Sequence, residues 1–181
     1  MKKIITIAGT NSQKSINKSL LSYTTSFLEE VEFISIDLND YVLPIYGVDY
    51  EAENGIPTAV KRLDELINQA DGFIISLAEH NGAYAAVFKN VLDWLSRVHM
   101  KIWREKPMLL MATSPGDRGG ITVLQSAKMY FPYLGAHIAA DFSLPSFYDN
   151  FLENEIADHE LKEELREKIQ LFEQQLSPSI R

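Results

Sequence analysis

The segment Gly72–Leu77 reads GFIISL, too uniformly apolar for a strand with one face in water. Comparable short runs recur at residues 3–8, 33–38, 107–112 and 137–144. The longer stretches between them return apolar residues every three or four positions. Short buried strands alternating with amphipathic helices make a parallel sheet covered on both faces. The chain is therefore expected to be α/β: a doubly wound parallel five-stranded sheet of order 2-1-3-4-5 with helices on both faces.

Helices are predicted over residues 17–29, 57–69, 85–98 and 121–133, Pro57 suiting a first helical turn and Pro132 disturbing the end of the fourth. Residues 41–56 read as a loop, marked by Pro44, Gly47, Asn54 and Gly55. A last helix places Leu161, Leu165, Ile169, Phe172 and Leu176 on one side among charges. A length of 181 residues suits one domain with a full-sized core. Seventeen basic against twenty-five acidic residues give a formal net charge of −8, which argues against a nucleic-acid surface. The chain has no cysteine, which excludes disulfides, thiolate metal sites and redox-active thiol pairs. Residues 4–8 are too few for the apolar region of a signal peptide, and no run approaches ~18 apolar residues. A cytoplasmic location, away from any membrane, is expected. No spacing of His and carboxylates suggests a metal site.

In a doubly wound sheet, ligands sit beyond the carboxyl ends of the strands where the strand order reverses. That rule selects the loops after the first, third and fourth strands. The first, residues 9–17 (GTNSQKSIN), is crowded with hydroxyls and amides and runs into a helix N-terminus, where free N–H groups favour a phosphate. The same residues also suit an ordinary helix cap. Neither G-x-G-x-x-G nor G-x-x-x-x-G-K-[ST] occurs, which favours a mononucleotide phosphate. The second loop carries Ala78, Glu79, His80, Asn81, Gly82 and Ala83. The third, residues 114–120, carries Ser114, Gly116, Gly119 and Gly120, small residues that let a backbone approach a flat ligand.

These segments resemble the NADPH-dependent FMN reductases of flavodoxin-like fold, a family that includes azo, quinone and chromate reductases. The resemblance lies in G-[ST]-x-x-x-x-S-x-N at residues 9–17, in Glu79-x-Asn81, in Lys89-Asn90-x-x-Asp93-Trp94, and in Ser114-x-Gly116-x-x-Gly119-Gly120. It implies FMN as cofactor and NADPH or NADH as co-substrate. Thr10, Ser12, Ser15 and Asn17 would hold the FMN phosphate. Glu79, His80, Asn81, Gly82 and residues 114–120 would flank the isoalloxazine ring, largely through backbone. This chain departs from the family pattern at Ser12, where Arg is usual, and at Ala78, His80 and Ala83, where Pro, Tyr and often Ser stand. Lys14 or Lys18 would have to replace the missing Arg charge.

The implied activity passes a hydride from the nicotinamide to bound flavin and on to a small acceptor: a free flavin, quinone, azo compound or metal oxyanion. Because flavin carries the chemistry, no side chain is singled out as catalytic. A flavodoxin-like electron carrier, or a non-catalytic protein that has lost FMN, is the alternative. A homodimer or homotetramer is implied by the resemblance and by an apolar, aromatic-bearing stretch at residues 88–103 richer than one core needs. Trp94 reads as core or interface rather than a flavin-stacking ring, and His99 and His137 as structural. Lys89 and Asp93 suit an intrahelical pair or an interface contact. Arg118 is either a neighbour of the flavin's N1–C2 edge or a solvated surface residue.

Overall fold

The structure, a computed structural model, describes residues 1–176. Strands β1 (Lys2–Gly9), β2 (Val31–Ile36), β3 (Gly72–Leu77), β6 (Lys106–Thr113) and β7 (Ala136–Leu144) form one parallel sheet, ordered β2-β1-β3-β6-β7. Counted along the chain this is the expected order 2-1-3-4-5. Every residue of β3 is buried, because neighbours lie on both edges and helices on both faces. Alternation along the strands divides the core in two. Ile5 and Ile7 of β1, Phe73 and Ile75 of β3, and Leu110 of β6 face helices α3 (Thr58–Ile67), α4 (Ala86–Val98) and α5 (Ile121–Tyr130). Ile4, Ile74 and Leu109 face α1 (Ile16–Thr25) and α7 (His159–Leu176).

Several boundaries differ from the sequence-based expectation. Helix α1 stops at Thr25, since residues 26–28 turn and Glu30 takes a positive φ of 57° to enter β2. Helix α5 ends at Tyr130, two residues before Pro132. The expected loop at residues 41–56 contains α2 (Val48–Asn54), and it is clamped to α4. Trp94 Nε1 and Asn90 Nδ2 both donate to the Pro44 carbonyl, at 2.8 and 3.0 Å, while Asn90 Oδ1 accepts from the Tyr46 N–H. Between β7 and α7 lie the single turn α6 (Phe147–Asn150) and a hairpin of β8 (Phe151–Leu152) and β9 (Glu155–Ile156).

The apolar stretch from Phe88 to Trp103 corrects one expectation. Phe88, Val91, Leu92, Trp94, Leu95, Ile102 and Trp103 are all buried within the same chain, so their number gives no reason for a second subunit. The clamped segment does expose apolar side chains: Val42, Ile45 and Val48 are 91%, 86% and 71% exposed.

Candidate functional site

Strands β1 and β6 flank β3, so the three selected loops leave the sheet side by side. Thr10, Ser12, Ser15 and Asn17 of the first, Glu79 and His80 of the second, and Ser114 of the third line one cleft of about 200 Å³. Asn81, Gly82, Gly116, Gly119 and Gly120 stand outside its lining. Lys14, Thr113 and Tyr148 join it. Tyr148 lies beyond the expected loops, on the turn after β7, and only Pro145 and the aromatic pair Phe147-Tyr148 marked that turn in the sequence.

The first loop is built as a donor set. Ser15 is the N-cap of α1, and its Oγ accepts from the N–H groups of Asn17 and Lys18 at 3.1 and 3.3 Å. Thr10 Oγ1 accepts from the Ser12 N–H at 3.1 Å. Both hydroxyls keep a proton to donate. The N–H groups of Lys14 and Ile16 meet no acceptor among the described residues. The side chain of Asn17 is engaged elsewhere. It is 2% exposed, Oδ1 accepts from Ser76 Oγ and the Thr113 N–H, and Nδ2 donates to the Thr113 carbonyl. Asn17 thereby ties α1 to β3 and β6, its amide engaged by the scaffold at the floor of the cleft. Of the two candidate cations, Lys18 is held by Asp37 at 2.6 Å, and that ammonium keeps the Asp37 carboxyl below its ordinary pKa. Lys14 has no ion-pair partner among the described residues.

The second loop is a hairpin of β4 (Glu79–His80) and β5 (Ala83–Tyr84). Asn81 and Gly82 turn it with φ of 53° and 74°, the paired positive values of a two-residue turn that Asn-Gly favours. That dipeptide was the available signal for the hairpin. The Glu79 carboxylate accepts from the Val123 N–H at 2.9 Å, in the first turn of α5, whose own cap residue Gly120 has no side chain to offer. Tyr84, opposite Glu79, packs on Phe88 and Phe131, and burial pushes its hydroxyl up to about 12, so it stays protonated at neutral pH.

The glycines of the third loop serve the scaffold. Gly119 has φ of 56°, and a Cβ there would meet Ser143 Oγ and lie 2.9 Å from both the Leu144 carbonyl carbon and the Pro145 nitrogen. A Cβ on Gly120 would lie 3.0 Å from the Ala112 Cβ. These two glycines pack against β7 and β6, whereas Gly116 of the same loop has open space around it. The Gly116 and Ser114 carbonyls accept from the Ser146 and Phe147 N–H groups, which brace the loop from the turn after β7.

The remaining side chains take plain roles. Trp94 is fully buried. Lys89 pairs with Asp93 within α4 at 2.6 Å. Arg118 donates to Thr122 Oγ1 at 2.9 Å on the exposed start of α5. His80 is exposed at the cleft edge.

Comparison with known proteins agrees with this architecture. The quinone reductase of Escherichia coli is 32% identical over 114 residues, which make up 63% of this chain and 59% of that protein, less than two thirds of its length. The NAD(P)H-dependent FMN reductase of Pseudomonas aeruginosa is 29% identical over 136 residues, 75% of this chain and 72% of that one. Among solved structures, the flavoenzyme NAD(P)H:(acceptor) oxidoreductase FerB of Paracoccus denitrificans superposes with a TM-score of 0.74 at 23% identity, over 97% of this chain and 99% of that one. An NADH:FMN oxidoreductase gives the same TM-score at 18% identity, over 99% and 92%. At such identities the likeness is one of fold. The model of the NADPH-dependent FMN reductases matches residues 2–149, from the first residue of β1 through every loop of the cleft to α6, and the chain belongs to that family.

Proposed function

We propose that this chain, as one flavodoxin-like unit, binds FMN in the cleft and passes reducing equivalents from NADPH or NADH to a small acceptor such as a quinone, free flavin, azo compound or metal oxyanion. The observation that carries this reading is the first loop: two hydroxyl protons, a helix N-terminus, and two N–H groups and a Lys14 ammonium that have no partner among the described residues, all at one cleft. That donor set fits a phosphate dianion. When bound, FMN would supply two-electron redox chemistry between the nicotinamide nucleotide and the acceptor. Thr10, Ser15 and Lys14 hold the phosphate. The second and third loops offer the flavin ring mainly backbone, because Glu79 already caps α5 and the glycines pack on the sheet.

A homodimer or homotetramer belongs to the same proposal, with Val42, Ile45 and Val48 as the apolar surface to be covered. Sedimentation tests it: Ile45→Asp shifts an assembled protein toward monomer. Among the described residues no helix is long and apolar enough to cross a membrane. A reducing cytoplasm is the location proposed.

The central test is a titration of flavin-free protein with FMN and with riboflavin, followed by NADPH addition without oxygen. FMN binding well above riboflavin, and bleaching of the flavin band by NADPH, are expected. Equal affinities would remove the phosphate site; an unbleached band would leave a flavin-binding protein without this activity.

A further inference from the structure

The cleft opens beyond the first loop. Lys14, Ser15, Ile16 and Tyr148 form a divide, with the 200 Å³ cleft on one side and a groove of about 740 Å³ along α1 on the other. The groove is the larger space and lies within the range of about 300–1,000 Å³ usual for small-ligand sites. The reaction proposed above, confined to FMN and the stacked nicotinamide, leaves it unused.

One wall is the outer face of α1 and its C-cap, with Ser19 and Ser22 on the helix and Ser26 just past its end; the other is the turn after β7, with Tyr148, Phe151 and Asn154. Ser19 and Ser26 return their hydroxyls to the Ser15 and Tyr23 carbonyls. Ser22 Oγ, the Asn154 amide and the Lys14 ammonium make no hydrogen bond or ion pair from their side chains among the described residues. Tyr23 Oη is shielded from solvent in the same wall without a hydrogen-bond partner, although the Lys162 ammonium is near enough to interact with it. Tyr148 is 65% exposed at the divide. A cation at one end, an aromatic face beside it, and unengaged amide and hydroxyl groups beyond make a sequence of contacts suited to a phosphate, then a flat heterocycle with polar edges.

We propose, resting on the flavin-phosphate reading of the first loop, that this groove is an adenylate subsite, with the phosphate of an adenosine nucleotide at Lys14, the purine against Tyr148, and Ser22 and Asn154 toward its polar groups. Adenylate reaches this place in two ways. It comes joined to the flavin's own phosphate, as in FAD, or as the far end of the nicotinamide nucleotide. Both bring the same chemistry to the same wall.

The experiment separates the two sources. Flavin-free protein is titrated with riboflavin, FMN and FAD, and FMN-loaded protein with ADP, each for the native chain and for Ser22→Trp, which fills the groove without touching the cleft lining. Ser26→Trp, at the C-cap of α1, is a second block should Ser22→Trp fail to fold as judged by its melting. If the groove holds the adenylate of a dinucleotide flavin, FAD binds about ten-fold or more tightly than FMN, and the blocked variant loses that advantage. If it holds the end of the nicotinamide nucleotide, FAD has no advantage, ADP binds FMN-loaded protein, and the block weakens ADP about ten-fold or more and raises KM for NADPH without lowering kcat. FMN binding with neither an FAD advantage nor block-sensitive ADP binding overturns the subsite alone. Absence of binding by all three flavins overturns the reading of the first loop, and the subsite with it.

Discussion

The outer half of the first loop and the second and third loops border one cleft but are built on opposite terms. Ser12, Gln13 and Lys14 are exposed, and their side chains make no hydrogen bonds among the described residues. In the other two loops the features that looked ready for a ligand hold the fold together: Glu79 caps α5, Asn81-Gly82 turns a hairpin, and Gly119 and Gly120 lie against β7 and β6. A substitution in the outer first loop should therefore act on ligand affinity, and one in the other loops on stability. Asn17 closes the first loop yet behaves like the second and third, because its amide is engaged by β3 and β6.

The largest effect expected is from Gly119→Ala. The left-handed backbone and the contacts with Leu144 and Pro145 at 2.9 Å allow no relief by side-chain rotation. Strain and overpacking together should cost about 3 kcal/mol in chemical denaturation. An Ala tolerated within about 0.5 kcal/mol would break the contrast between the loops. Asn17→Ala comes next, at about 2–3 kcal/mol, since it leaves the buried Ser76 hydroxyl and both polar groups of Thr113 without this partner. Because the loss is structural, FMN and riboflavin affinities should move together; a selective loss of FMN would return the Asn17 amide to the phosphate. Glu79→Ala should cost about 1 kcal/mol through the uncapped Val123 N–H, with most of it restored by Glu79→Gln, whose carbonyl still accepts.

On the other side of the comparison, Lys14→Met should leave melting unchanged and weaken FMN about ten-fold relative to riboflavin, the difference shrinking as salt rises. Lys18→Met should do much less to the ratio, because Asp37 already holds that ammonium. Reversed results for the two lysines would mean that the Lys18–Asp37 pair opens when flavin binds. The smallest effect is a pH-dependent one at the same pair. Lys18, and then the Asn39 N–H, lower the Asp37 pKa, so the carboxylate stabilises the fold above its unfolded-state pKa, and that contribution is lost as pH falls through the folded value. Exposure screens it: Asp37→Asn should cost at most about 0.5 kcal/mol at neutral pH and nothing in acid, where both states are protonated.

Much of the scaffold was legible along the chain because it depends on neighbours in sequence. Uniform apolar runs mark strands covered on both faces, and Ser15 two residues before Asn17 marks a helix cap. The parallel order places the loops after β1, β3 and β6 together, and they do share a cleft. The helix inside residues 41–56 was hidden by Gly47 and Gly55, which read as loop punctuation but stand at its two ends. The Phe88–Trp103 stretch misled for a related reason: apolar content does not say whether a second subunit or the chain's own core covers it, and here Tyr46, Phe73 and Phe131 pack on its tryptophans.

By itself, then, the order of residues determined periodicity, caps and turns, all consequences of backbone preference and burial over a few positions. Which polar groups were left for a ligand was decided only when the sheet brought distant residues together. Asn17 is engaged by Thr113, 96 residues away, and Glu79 by Val123, 44 away, while Lys18 finds Asp37 at the end of β2 and Lys14 has no ion-pair partner among the described residues. A buried polar group takes whatever partner the packing offers, because leaving it unpaired is costly, and no local pattern encodes that choice.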